Sequence, residues 1–398
     1  MSMLERARAI ADELVRLRRD IHSHPELGFQ EHRTSALVAE TLSEIGGITV
    51  TTGVARTGVL GELGNGDGPT IAIRADMDAL PILSETSSAY NSTNPGVHHA
   101  CGHDAHTAML LGAAHLLREE FAKGTVKGKV KFLFQPSEEK WDAEGNSGGS
   151  MMTAEGLLNG VDSVIALHVD STAPVGTVNQ IDGWASAAVD SFAGYIYGTG
   201  GHGAMPHTGT DPVHMLIPVL TALFGIRSRL LDPMEPGILS IGEVRGGGAS
   251  NVIPSEIFIQ GTLRSFSDKV REQLASEVIK AFKVAEAFGG RGEVTISRGY
   301  PAGYNDPRVS GWLGETARDL LGDGAITPPQ PGMGAEDFAY MTRAVPGAML
   351  GLGAAIPDGI VRAHHTPIFD IDERALPIGT AILAETALRF LRGERKLS

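Results

Sequence analysis

The chain has 398 residues, 42% of them hydrophobic and 20% charged, the composition of a soluble globular protein with room for two domains. A formal net charge of −14 without a basic stripe argues against a nucleic-acid partner, and no apolar run approaches the roughly 18–20 residues of a membrane span. A single cysteine excludes an intrachain disulfide and fits a reducing, cytoplasmic setting, and the charged N-terminal stretch lacks the apolar core of a secretory signal.

Residues 4–22 carry apolar side chains at helical spacing and meet a stop at His24-Pro25. Four strand-like runs follow: Thr70-Ile71-Ala72-Ile73-Arg74, Val130-Lys131-Phe132-Leu133-Phe134, Ser163-Val164-Ile165-Ala166-Leu167 and Ala348-Met349-Leu350-Gly351-Leu352. Helical patterns lie between them at 105–117 and 150–158, which predicts an α/β domain with a mainly parallel sheet. The middle of the chain reads differently. A strand over 188–197, an apolar helix over 213–231, strands over 238–243 and 255–262, a helix over 267–288 and a strand over 293–297 follow in turn. Their order, β-α-β-β-α-β, is that of a small open sandwich. The expected organisation is a larger domain in two parts, residues 1–186 and 300–398, interrupted by an inserted domain over 187–299.

Cys101 and His103 stand one residue apart, just before the helical pattern that begins near Ala105. A thiolate and an imidazole are good ligands for borderline metals, and the positive end of a helix favours the thiolate. A half-buried cysteine on a polar loop would look the same in isolation. His99 and His106 are equally near, so spacing leaves open which histidine binds. Glu138-Glu139 follow the strand at 130–134 and the turn Gln135-Pro136. Adjacent carboxylates are usually solvated, but these fall beyond the carboxyl end of a strand, where open α/β sheets bind ligands. His168 directly follows Leu167, and His364-His365 lies in the loop after 348–352. Four segments thus bring metal-ligating side chains to comparable points of the topology.

Two motifs suggest other chemistry and fail on context. Gly198-Thr199-Gly200-Gly201-His202-Gly203 matches G-x-G-x-x-G, but the region some 20 residues on is apolar where a ribose-binding acid belongs, and Pro206 delays any helix. Those glycines are better read as presenting His202 to a ligand. Gly145-Asn146-Ser147-Gly148-Gly149 matches G-x-S-x-G, yet it follows polar residues and not the apolar strand of a nucleophile elbow.

Taken together, the motifs resemble the M20 metallopeptidase and aminoacylase family, in its branch of N-acyl-amino-acid amidohydrolases that includes hippurate and auxin-conjugate hydrolases. The resemblance runs from His22-Ser23-His24-Pro25-Glu26-Leu27-Gly28 to His365-Thr366-Pro367-Ile368-Phe369-Asp370. Between these lie Arg74-Ala75-Asp76-Met77-Asp78-Ala79-Leu80-Pro81, the run from His99 to His106, Gln135-Pro136-Ser137-Glu138-Glu139 and Leu167-His168-Val169. Further on come the run from Gly200 to His207, Asn251-Val252-Ile253-Pro254, Gly261-Thr262-Leu263-Arg264 and Gly334-Ala335-Glu336-Asp337-Phe338. The resemblance implies that Cys101, His103, Glu139, His168 and His365 hold two divalent metal ions, with Cys101 able to bridge them. Zinc or manganese suits that set best, and cobalt or nickel is compatible with it. Glu138 would be the general base and His202 the transition-state stabiliser. Asn251 and Arg264 would hold a substrate carboxylate. The implied substrate is a small N-acyl or N-aroyl amino acid. The inserted domain would be a lid that also forms a homodimer, or a higher oligomer, with His202 acting in its own or its partner's site.

The stretch from Lys140 to Ser147 departs from the short glycine-rich loop such relatives carry after the paired glutamates. It sets the bulky Trp141 near the base and motivates an alternative, attack on another C–N bond of a small aromatic acid with release of ammonia. A catalytically silent metal-dependent binding protein is the third reading. Glu138 argues against it, because such a protein could lose that residue without losing metal.

Overall fold

The strand Thr70–Asp76 is buried at every position, as a central parallel strand covered on both faces must be. It pairs in parallel with Lys129–Gln135 on one side and with Ser163–Pro174 on the other, and Gly347–Ala355 lies parallel to Ser163–Pro174. Ile48–Val54 and Gly58–Gly64 extend one edge in antiparallel fashion, and the short strands Val178–Asn179 and Ile326–Thr327 complete an eight-stranded sheet. This arrangement comes from a computed structural model, which describes residues 1–64 and 68–397. The fold is the expected α/β type with a mainly parallel sheet. Around it pack the helices Ala11–Ser23, His103–Ala122, Pro307–Leu321 and Leu376–Leu391, whose apolar faces form one continuous core with the strands.

The chain divides into two units, Met1–Ala185 with Tyr304–Pro331 and Asp337–Ser398, and Ser186–Gly303 with Gly332–Glu336. The last of these segments was expected within the larger domain. It groups with the smaller unit, where the Ala187 N–H donates to the Gly334 carbonyl at 2.8 Å.

In the second unit, Gly237–Arg245, Glu256–Ser265, Ala188–Tyr197 and Arg291–Arg298 form an antiparallel sheet in that order. Alternate residues of Ala188–Tyr197 are buried, so one face of the sheet carries the core. Phe192 and Ile196 meet Val219 and Leu223 of the helix Pro212–Gly225, and Leu274, Val278 and Phe282 of Asp268–Lys283.

Several boundaries differ from the sequence expectation. The first helix is two, Met3–Ala9 and Ala11–Ser23. The helix expected near Ala105 begins at His103, because Gly102 adopts the left-handed conformation (φ 90°) and acts as its N-cap. A side chain at Gly102 would collide with Val169, its Cβ lying 2.4 Å from Cγ2. His168 lies within the strand Ser163–Pro174 and not past its end. The pairing of Ser163–Pro174 with Thr70–Asp76 stops at Ala166, two residues before His168. The absence of any membrane-length apolar stretch also needs correction. Pro212–Gly225 continues through a π-helical turn to Leu230, and the resulting 19-residue helix is long and apolar enough to cross a membrane by length and composition. Met215, Val219 and Leu223 of this helix are buried on the sheet of the second unit.

Candidate metal centre

The sheet brings the metal-type side chains of the first unit together. Cys101 Sγ lies 3.5 Å from His168 Nε2, and His365 Nε2 lies 3.1 Å from Glu139 Oε1. Among the groups whose ligand atoms all lie within 4.8 Å of one another are Cys101 with His103 and His168, and Cys101 with Glu139 and His365. His103, Glu138 and Glu139 form a third. Cys101 is common to the first two and His103 to the first and third, and a further group joins Asp76 to His103 and His106.

Which histidine is free to bind depends on what occupies its other nitrogen. His106 has neither to spare. Its Nδ1–H donates to Asp76 Oδ1 at 2.6 Å, and its Nε2 accepts from the Val169 N–H at 3.0 Å. His103 is engaged at Nδ1 by Asp78 (3.2 Å), which leaves Nε2 buried without a hydrogen-bond partner. His168 likewise donates from Nδ1 to the Val169 carbonyl at 2.8 Å and turns Nε2 to Cys101. His99 is buried beside His22 and belongs to none of the clusters.

Asp78 also sets the glutamates. Its Oδ1 accepts the Glu138 N–H and its Oδ2 the Glu139 N–H, each at 3.0 Å. Behind them Glu31 accepts the Ser137 N–H at 2.8 Å and the Thr57 hydroxyl at 2.5 Å. Ser137 has φ 46° and His365 φ 60°, both in the left-handed region that a residue with a side chain avoids. Gly28, the last residue of the His22-to-Gly28 motif, leaves room for this bend; a Cβ there would lie 2.3 Å from Ser137 Oγ. On the far side Arg74 bonds Gln135 Oε1, Asp76 Oδ2 and Asp337 Oδ1 at 2.9, 2.7 and 3.0 Å.

The electrostatics match a cation site. Burial, with Glu139, Glu138 and Asp76 nearby, pushes the Cys101 thiol well up, so a thiolate here needs an added positive charge. Burial opposes charge on His103, yet Asp76 and Asp78 outweigh it and raise its pKa to about 10. Burial would raise Glu139, but His365 and His103 hold it below its ordinary value. His365 Nε2 stands within ion-pairing range of Glu139 Oε1, yet that buried oxygen makes no aligned hydrogen bond. Unsatisfied donor atoms on His103 and Glu139, beside a thiol and two further imidazoles, fit a divalent transition metal.

The remaining candidates belong to the second unit. Gly201–His202 pairs with Val252–Ile253 in a short ribbon that places His202 opposite Val252, next to Asn251. His202 Nδ1 accepts the Ala204 N–H at 3.0 Å, so the ring proton sits on Nε2, which becomes a donor. Arg264 is half-buried and donates to the Leu263 carbonyl at 3.1 Å and to the Thr262 hydroxyl. Among the described residues it forms no ion pair with a carboxylate. Ser147 proves to be a helix cap: its hydroxyl accepts the Ser150 N–H at the start of Gly148–Ala154.

Sequence reasoning assigned no role to Asp76, Asp78, His106 or Glu31. One signal was available. Arg74, Asp76 and Asp78 recur at alternate positions at the end of an apolar strand, and charges at a spacing of two on a buried strand share a face and need partners.

The sequence profile of Peptidase family M20/M25/M40 matches residues 72–389. The chain belongs to this family. As a member it is a metal-dependent amidohydrolase. It is 38% identical over 381 residues to an N-acetyl-L-cysteine deacetylase of Bacillus subtilis, covering 95% of this chain and 88% of that one. With IAA-amino acid hydrolase ILR1-like 2 of Arabidopsis thaliana it shares 37% identity over 388 residues, 96% of this chain and 86% of that protein. Among solved structures it resembles the Bacillus subtilis YXEP protein, described as a dinuclear metal binding peptidase from the M20 family. That match has a TM-score of 0.82 and 32% identity, and covers 96% of this chain and 99% of the other.

Proposed function

We propose that the protein hydrolyses the amide bond of a small N-acyl or N-aroyl amino acid, using two divalent ions held by Cys101, His103, Glu139, His168 and His365. The observation that carries this reading is the pair of ligand clusters sharing the Cys101 thiol. The relatives support it, since one is named for deacetylating an N-acetyl amino acid and another for hydrolysing an amino-acid conjugate. Cys101, His103 and His168 would hold one ion, and Cys101, Glu139 and His365 the other. Bound divalent ions acidify a water and polarise a scissile carbonyl.

This chain's own residues supply the rest. Glu138, whose backbone is tied to Asp78, takes the proton from the attacking water and delivers it to the leaving amine. His202 donates its Nε2–H to the developing oxyanion. Arg264 and Asn251 grip the free α-carboxylate, Arg264 through its two-pronged donor geometry.

Glu138→Ala tests the reading. In metal-replete protein it should cut hydrolysis of N-acetyl and N-benzoyl amino acids by about 100- to 10,000-fold without lowering metal content. Undiminished turnover would refute the mechanism, and ammonia release from aromatic acids in its place would favour the deaminating alternative.

We also read the second unit as a homodimer interface. Val213, Ile217 and Phe224 on the helix Pro212–Gly225 are 45%, 65% and 59% exposed, an apolar face that the same face of a second copy would cover. Sedimentation should give a dimer, and Ile217→Lys should weaken it.

A further inference from the structure

Two of the candidate ligands come from segments far apart in sequence, and both segments end on one buried side chain. Arg18, on the helix Ala11–Ser23, is fully buried. Its Nε donates to Asp104 Oδ2 at 2.8 Å and one terminal nitrogen to Asp370 Oδ1 at 2.7 Å. The other terminal nitrogen reaches Glu373 Oε1 at 3.3 Å. Asp104 directly follows His103 in the first turn of its helix. Asp370 closes the loop that starts at His365. The guanidinium therefore grips the residue after one ligand and the far end of the loop that carries another.

The surroundings hold this fork in place. His22 Nδ1 lies 2.7 Å from the same Asp104 oxygen, and the Tyr90 hydroxyl donates to Asp370 Oδ2 at 2.9 Å. The Tyr90 ring stacks on the guanidinium, 4.8 Å from ring centre to Cζ. A buried guanidinium this well paired avoids most of the cost of leaving water, and its planar geometry allows it to serve two carboxylates at once.

The His365 segment is the one that needs an anchor. His365 sits at φ 60°, a conformation that persists only where surrounding structure over-determines it. One end of its loop is tied by the His365 N–H to the Ala100 carbonyl at 2.8 Å. The other end is tied through Asp370 to Arg18. We propose that Arg18 is a positioning residue, which holds the His103 and His365 segments in register so that both imidazoles meet the same metal site. It touches neither metal nor substrate.

The inference rests on the metal reading given above, and the test separates the two. Zinc ion alone is titrated into full-length protein stripped of metal, with chelator competition to obtain Kd and thermal melts with and without zinc. Wild type should bind zinc and gain thermal stability from it. Arg18→Lys keeps the charge but cannot serve two carboxylates in one plane. It should weaken zinc binding by about 10- to 100-fold, the usual cost of losing a partner that orients a ligand. The gain in Tm on adding zinc should shrink with it. A structural role alone would lower the metal-free Tm and leave zinc affinity intact, and that result would overturn the proposal. Should Arg18→Lys fail to fold, Asp370→Ala decides, since it keeps the Arg18–Asp104 pair and removes the oxygens that tie the His365 loop. Weaker zinc binding by folded Asp370→Ala supports the proposal, and wild-type affinity overturns it. Wild-type protein that binds none of zinc, manganese, cobalt or nickel in the same titration would instead refute the metal reading itself, and the Arg18 role with it.

Discussion

The candidate metal cradle and the candidate substrate-binding face of the second unit are built on opposite principles. In the cradle His103 and Asp78 are almost wholly buried, and ring orientations are imposed by Asp76, Asp78 and backbone groups. In the second unit His202 and Asn251 are exposed on a two-residue ribbon, and Arg264 is half-buried with its guanidinium committed only to neutral oxygens. A cation site needs its ligands fixed before the ion arrives, because rearranging them would consume binding energy. A face that must admit a substrate needs groups that are accessible and not already satisfied by carboxylates. Burial thus sets Cys101 and His103, whose loss should be felt in metal content, apart from His202 and Asn251, whose loss should be felt in turnover, while the exposed ligand candidate His365 and the buried base candidate Glu138 cross that division.

The largest effect should come from the centre of the cradle. Cys101→Ala removes the atom common to both clusters, and should reduce metal affinity by more than the ~10- to 100-fold typical of losing a supporting partner. Elemental analysis after dialysis would measure this. Unchanged stoichiometry would break the contrast at its root. On the exposed side, His202→Ala should lower kcat by about 100- to 1,000-fold while metal content and Tm stay at wild-type values. A fall in metal content in that variant would mean that the two regions are not separable. Arg264→Lys is expected to raise KM for carboxylate-bearing substrates by about tenfold or more, with a smaller change in kcat, because one prong of the grip is lost. Esterifying the substrate carboxylate should abolish the difference between the two proteins.

The smallest effect concerns the pH behaviour of the cradle without metal. Burial and the nearby Asp78 raise Glu31 from an ordinary value of 4.5 to about 7. Between those values the unfolded chain is ionised at this position while the folded chain holds the proton. Stability from this group is thus greatest below the window and is lost as pH rises through it. Glu31→Gln should flatten that fall by something on the order of 3 kcal/mol, measured by urea melts of metal-free protein across the window. An unaltered pH profile would mean that Glu31 is not the group responsible.

Much of the first unit was legible because its signals are local. Apolar runs of strand length separated by helical spacing are enough to call for a parallel sheet, and Thr70–Asp76 is buried throughout. Side chains of metal-ligating type in and near those runs come together in the first unit, as the clusters around Cys101 show. Finer boundaries were less readable. The start of a helix at His103 depends on a left-handed Gly102, and the course of Ser163–Pro174 past His168 depends on its pairing with Gly347–Ala355. Neither is visible in hydrophobic spacing.

By itself, then, the sequence determined the kinds of donor atom available, the class of fold and the family. Only the tertiary structure sets His103 apart from His106, which are three positions apart on one helix and equally suited by chemistry. Both nitrogens of His106 are taken, by Asp76 on a neighbouring strand and by the Val169 backbone on another, whereas Asp78 takes just one from His103. Such partners come from tens of residues away. A ligand is selected by which of its atoms the fold leaves unsatisfied, and hydrogen-bond satisfaction in a buried site is a property of packing and not of neighbours in the chain.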